Sequence, residues 1–232
     1  MTLPVSRRSL RNTALLTFDD STHTYYWDGE QVPGANEIAK SVGLIDTTFM
    51  SVEGAERGKR RHKLLEDYER GEVDWADILP EDSHILVGWD EFKRDMEFQP
   101  ISQELKVFHP DLWVAGTIDV IGKIQDTTFL VDFKTGSSLS PWYRLQLGIY
   151  ALAYAATVGE SIPRMGILHL RKAKKEQYRF VPIESSYTLD MAHSLICTYH
   201  MTQGNWDRAE RCHQMKEAWI DDLAAELGEA VG

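Results

Sequence analysis

WVAGTIDVIGKIQDTTFLVDFKTG, residues 113–136, is the stretch on which the reading of this 232-residue chain turns. Its first half, Trp113-Val114-Ala115-Gly116-Thr117-Ile118-Asp119-Val120-Ile121, is apolar almost without a break, as a strand buried on both faces would be. Its second half, Thr128-Phe129-Leu130-Val131-Asp132-Phe133-Lys134, is a second β-prone run, set off by a Gln125-Asp126 turn signal. Side chains of a strand alternate faces, so Asp132 and Lys134 share one face while Val131 and Phe133 enter the core on the other. An isolated Asp-x-Lys is ordinarily only the polar face of a half-buried strand. The neighbours change that reading. Asp119 is a carboxylate inside a buried run, which is costly unless it is paired or coordinates a metal. On adjacent antiparallel strands Asp119 and Asp132 can converge into a hard, oxygen-rich site that suits Mg²⁺ or Mn²⁺.

Working outward, Glu104-Leu105-Lys106-Val107-Phe108 reads as a strand before this pair, and Pro100 marks a change of texture. Residues 55–98 read as wholly helical, with helices over about 53–70 and 81–96; Ile85, Trp89, Phe92 and Met96 keep helical spacing in the second. Nearer the N-terminus, Asp28-Gly29 divides LTFDDSTHTYYWDGEQVPG into the two strands of a hairpin. Asn36 is expected to cap a short helix closed by Gly43. Downstream, Ser140 and Pro141 open a helix to about Val158, with proline in the first turn. Strands at about 164–171 and 177–183 and helices at about 188–203 and 205–227 complete the order. The expectation is an α+β (α/β) fold with a central mixed sheet flanked by helices. A single domain is expected over 1–232: hairpin and helices in 1–99, core in 100–185, closing helices in 186–232.

The composition, 43% hydrophobic and 26% charged, excludes disordered, collagenous and coiled-coil classes. With 36 acidic residues against 25 basic, a net charge of −11 argues against indiscriminate nucleic-acid binding but not against a local basic channel. Two cysteines, Cys197 and Cys212, cannot supply a disulfide framework or a four-thiolate cluster, so no iron–sulfur centre is expected. No apolar run approaches a membrane span and no secretory signal is visible, so a cytoplasmic, intracellular protein is expected.

Gly116-Thr117-Ile118-Asp119, then Asp132-Phe133-Lys134-Thr135-Gly136, then Gln146-Leu147-Gly148-Ile149-Tyr150 resembles the core of the PD-(D/E)XK nuclease superfamily, and within it the RecB-like and phage-exonuclease branch. Each part is weak alone; the order and spacing together are specific. Upstream, Gly58, His62 and Glu66 match a G-x-x-x-H-x-x-x-E helix of that family, and Tyr25…Gly29…Val32-Pro33 resembles its opening hairpin, with Gly34-Ala35-Asn36 in place of the usual Ser-Val-Thr. The resemblance covers about residues 22–155 and implies a restriction-endonuclease-like core. It implies that Asp119 and Asp132 ligate a divalent cation (Mg²⁺ or Mn²⁺) with the Phe133 carbonyl, and that Glu104 and His62 contribute to the metal site. Lys134 would orient or activate the attacking water and stabilise charge on the scissile phosphate, with Gln146 and Tyr150 fixing the phosphate or the Lys134–water geometry.

Basic residues cluster in three places: Arg57, Lys59, Arg60, Arg61 and Lys63 around His62; Arg171, Lys172, Lys174 and Lys175 after a strand; and Arg7, Arg8 and Arg11. Such runs are usually solvated faces, but beside a phosphodiesterase site Arg57, Lys59, Arg60 and Arg61 become candidates for gripping DNA phosphates. Trp142 and Tyr143 are packing residues that could instead stack on a frayed base. Other chemistries are set aside: Lys134-Thr135-Gly136 echoes serine β-lactamases, but no S-x-x-K supplies a nucleophile, and H-E-x-x-H, Walker and G-x-G-x-x-G patterns are missing. The leading expectation is a divalent-metal-dependent DNA nuclease, more an exonuclease of phage or recombination and repair type than a structure-specific or restriction-like endonuclease. A non-catalytic DNA-binding module on the same fold is the third reading, and a homo-oligomer guiding DNA through a basic channel is compatible with the charge.

Overall fold

The computed structural model describes residues 15–45, 52–76, 78–160, 164–173 and 175–215. Strands β1 (Leu16–Asp19), β2 (Thr24–Trp27) and β3 (Glu30–Val32) form a small antiparallel sheet. It has three strands, not the two expected from Asp28-Gly29; that pair joins β2 to β3, with both residues at positive φ. Helix α1 (Ala35–Ser41) follows, capped by Gly34 rather than Asn36 and ended at Val42. Gly34 lies against the Tyr25 ring, which a Cβ would meet at 3.1 Å, and its backbone also bridges to Ala115. That close approach sets the start of the helix two residues early.

Helices α2 (Val52–Arg70) and α3 (Ser83–Asp95) are as the periodicity predicts. The expectation that 55–98 is wholly helical is corrected: the chain leaves the helix at Gly71 (φ +70) and re-enters only at Ser83. In the second sheet β4 (Phe98–His109), β5 (Val114–Ile124), β6 (Thr127–Lys134), β7 (Arg164–Leu170) and β8 (Tyr178–Ile183) lie in sequence order. All neighbours are antiparallel except β6 and β7, which run parallel through the crossover helix α4 (Trp142–Val158). β4 begins before Pro100, and the register slips between Pro100 and Ser102, where proline cannot donate to the ladder. Pro141 occupies the cap of α4 and not its first turn. Helix α5 (Ser185–Thr202) is capped by the Glu184 carboxylate, which accepts from the Ser186 and Tyr187 amides.

The mixed sheet is a layer between helices, the fold class expected. Val120, Val131, Phe133 and Leu168 pack on one side against Leu65 of α2 and Trp89 and Phe92 of α3. Ile118, Leu130, Met165 and Ile167 pack on the other against Leu147 and Ile149 of α4 and Ile196 of α5. A further helix begins at 206 and is described to 215; the remainder of the expected 205–227 helix, the Arg7, Arg8, Arg11 cluster and Lys174 lie outside the described residues. Among the described residues no helix is long and apolar enough to cross a membrane.

Candidate active site

The paired register of β5 and β6 stops at Val120–Val131. Just beyond it the Phe133 amide donates to Asp119 Oδ2 at 2.6 Å, so a carboxylate replaces a ladder partner at the point where the strands part. His62 reaches the same place from α2, with Nδ1 3.3 Å from Asp119 Oδ1. Glu104 reaches it from β4. Its φ is +48°, a left-handed conformation that a non-glycine residue adopts at a cost, and it is the one such residue inside a named strand among the described residues. One donor atom each from His62, Glu104 and Asp119 lie within 4.8 Å of one another. Two carboxylates and an imidazole at that spacing fit a divalent cation. The two residues added to the aspartates only by resemblance are thus the ones that the fold groups with Asp119.

Asp132 stands beside this cluster and is engaged differently. It is 2% exposed and forms an ion pair with Lys134. The Lys134 ammonium also donates to Gln146 Oε1 at 3.1 Å and lies 4.4 Å from the centre of the Tyr143 ring. Gln146 Nε2 donates in turn to the Tyr150 phenol at 2.9 Å. The i, i+4 spacing on α4 therefore builds a relay from Tyr150 through Gln146 to Lys134. Tyr143 serves the lysine here, a contact that sequence reasoning missed because it considered only packing or base stacking.

Burial pushes the Asp119 carboxyl up, but the His62 charge and hydrogen bond, with Lys134 and the Phe133 amide, outweigh it and hold Asp119 below the usual carboxylate range. Burial pulls His62 down, and Asp119 opposite it more than compensates, so the imidazole is held above its ordinary value. Burial pushes Asp132 up against the pull of Lys134, and the charge of Asp119 pushes it further. Glu104 is pushed up to about 7 by burial and then by Asp119. Burial would lower Lys134, but Asp132 and Asp119 keep it raised. The site thus gathers the Asp119, Asp132 and Glu104 carboxyls around one imidazole and one ammonium.

These groups line one cleft of about 460 Å³, with Tyr25, Lys59 and Lys63 on its walls. Tyr25 meets Thr117 Oγ1 at 2.9 Å, tying the small sheet to β5. Gly116 is required by a close approach: a Cβ there would lie 2.5 Å from the Tyr150 ring. Gly116→Ala is expected to cost about 1–3 kcal/mol by overpacking and to weaken catalysis through the displaced tyrosine. Denaturant unfolding with a parallel cleavage assay checks this, and wild-type values for both would refute it.

The expected phosphate-gripping residues divide into two groups. Arg57 and Lys59 line clefts at the site. Arg60 and Arg61 turn instead to Asp82, with Nε–carboxylate distances of 2.8 and 2.6 Å, and Arg61 Nη1 also donates to the Thr135 carbonyl at 2.9 Å. Asp82 sits in the non-helical stretch between α2 and α3, where sequence periodicity carried no signal for it.

Residues 59–230 match the family model of the PD-(D/E)XK nuclease superfamily. No curated protein is matched. Among solved structures, a provisionally assigned exonuclease from Eubacterium rectale is similar at 14% identity and a TM-score of 0.47, over 76% of this chain and 72% of that one. An alkaline exonuclease from Laribacter hongkongensis is similar at 13% identity and a TM-score of 0.43, over 84% of this chain and 94% of that one. Its complex with dAMP gives 14% and 0.44 over the same shares. The family match spans the cluster of His62, Glu104 and Asp119 together with Asp132, Lys134 and Gln146, and the chain belongs to the PD-(D/E)XK nuclease superfamily.

Proposed function

We propose that the protein is a divalent-metal-dependent deoxyribonuclease that hydrolyses phosphodiester bonds from DNA ends. One observation carries the reading: His62, Glu104 and Asp119 bring donor atoms within 4.8 Å of one another while an ammonium held by Asp132 and Gln146 lines the same cleft. His62, Glu104 and Asp119 would hold the cation, with Asp132 and the Phe133 carbonyl beside them as the resemblance implies. The carboxylates suit Mg²⁺ or Mn²⁺, and the imidazole favours Mn²⁺. When bound, the cation would supply Lewis acidity where a phosphodiester gathers charge and a water must lose a proton.

The chain's own residues do the rest. Lys134, kept protonated by Asp132 and Asp119, acts as a charge and hydrogen-bond donor to the phosphate or the attacking water rather than as a base. Gln146 accepts from that ammonium and donates to Tyr150, whose raised pKa keeps its phenol protonated and the relay in one orientation. Phage DNA processing or recombination and repair is the setting that fits, and the resemblance to the RecB-like and phage-exonuclease branch supports action at ends.

Linear duplex, single-stranded and closed circular DNA incubated with Mn²⁺ or Mg²⁺, against a chelator control, test this. Linear forms are expected to shorten from their ends while closed circles survive. Rapid nicking of the circles makes the protein an endonuclease, and no degradation of any form overturns the proposal.

A further inference from the structure

The parallel pairing of β6 and β7 sets Lys134 opposite His169, so the chain leaving both strands emerges at one end of the sheet. Ligands of open sheets gather at such carboxyl ends. Here the segment after Lys134 and the segment after Leu170 line a groove of about 650 Å³, separate from the cleft that holds the acidic cluster. Its lining carries Arg57, Arg61, Arg171 and Lys172 against one carboxylate, Glu81, in a chain whose acids outnumber its bases by 36 to 25. Arg61 is already engaged by Asp82 and the Thr135 carbonyl, and the His169 imidazole contacts the Gly136 carbonyl at 2.7 Å. These contacts tie together Arg61, Thr135, Gly136 and His169, all of which line the groove. Arg57, Arg171 and Lys172 form no ion pair among the described residues.

The groove is connected to the catalytic centre. Arg57, Thr135 and Gly136 line both this groove and a cleft of about 580 Å³ that also holds His62, Lys134 and Gln146. A strand with its scissile phosphate near Lys134 can therefore continue along the chain's surface towards Arg171 and Lys172.

We infer that this groove is a phosphate subsite for the nucleic-acid strand beyond the scissile bond, with Arg57, Arg171 and Lys172 as its cations. The inference rests on the nuclease reading above and adds where the rest of the substrate lies. Cations that neutralise backbone phosphates release the counterions condensed on the nucleic acid, which gives sequence-independent grip. Grip remote from the reacting bond also positions that bond. The second basic cluster of the sequence is thereby given a role that it lacked when read as a solvated run.

Fluorescence anisotropy of a labelled single-stranded DNA of about twenty nucleotides, titrated in chelator at several salt concentrations, tests this. R171A/K172A is expected to weaken binding about tenfold and to reduce the slope of log affinity against log salt by roughly 1.4, near 0.7 for each lost phosphate contact. K123E changes net charge by the same amount on the exposed far end of β5 and serves as the control. R171K/K172R is expected to restore the slope, and R171Q/K172Q gives the same readout should the alanines unfold the protein. Binding by R171A/K172A no weaker than by K123E, with an unchanged slope, overturns the subsite. Cleavage by the wild type is measured alongside: DNA that is bound through this groove but never cut with any divalent ion removes the nuclease reading and leaves the subsite standing.

Discussion

Asp119→Asn is expected to lower DNA cleavage by about 10³-fold and, in the same protein, to abolish the thermal stabilisation expected of the wild type in Mn²⁺. Both losses have one origin. Asp119 is shared by every part of the site: it faces His62, lies in the same donor cluster as Glu104, accepts the Phe133 amide and helps keep Lys134 charged. The amide oxygen of Asn can still accept from Phe133, so the fold is expected to survive while the charge is lost. For the wild type, saturation to about 100 times the dissociation constant contributes about 2.7 kcal/mol, or roughly 5–10 °C in a chain of this length. Melting curves with and without Mn²⁺, beside a cleavage time course, read both. Retention of more than a tenth of the activity would place the catalytic cation elsewhere.

The second large effect runs in the opposite direction, towards stability. Glu104→Gln and Glu104→Gly are both expected to raise the melting temperature of the metal-free protein at pH 8 while removing cleavage. Glu104 carries two burdens, a left-handed backbone inside a strand and a carboxyl pushed up to about 7 from an ordinary 4.5. A carboxyl with a raised folded-state pKa costs nothing while protonated in both states. The penalty grows as pH rises from the unfolded value near 4.5 and is complete above about 7. Its ceiling is about 3 kcal/mol, and partial exposure of the side chain reduces it to about 1–2. Gln removes this part alone, so its gain vanishes near pH 4. Gly also relieves the backbone, for about 1 kcal/mol more, and keeps that increment at every pH. Equal melting curves for wild type and both variants at pH 8 would show that the site stores no such strain. A cation would offset the same repulsion, so its affinity is expected to rise over this pH range.

Much of this site was legible in the chain because its parts are local. Asp132 and Lys134 sit two apart on a strand, Gln146 and Tyr150 four apart on a helix, and both spacings translate directly into shared faces. Asp119 announced itself as a charge in a buried run. Its grouping with Glu104 and His62 was legible only through the family resemblance, not from periodicity. Glu104 approaches through a backbone irregularity in β4, and His62 crosses from a helix on the other side of the sheet, so neither obeys a period. The same holds for Asp82, whose place between α2 and α3 decides that Arg60 and Arg61 turn away from the cleft. Arg171 and Lys172 were visible only as a charged run; the parallel register of β7 on β6 is what brings them to the segment that follows Lys134. Helix boundaries slipped wherever packing outweighed local preference, as when Tyr25 crowds Gly34.

His62 comes from α2, Glu104 from β4, Asp119 from β5, Asp132 and Lys134 from β6, and Gln146 and Tyr150 from α4. No two neighbouring elements contain a working set between them. A chain still emerging from the ribosome, or one trapped part-way to its final shape, therefore has no assembled blade with which to damage the genetic material around it. Cutting ability requires α2, β4, β5, β6 and α4 to be docked together, so a lesion that separates any one of them is expected to disarm the molecule.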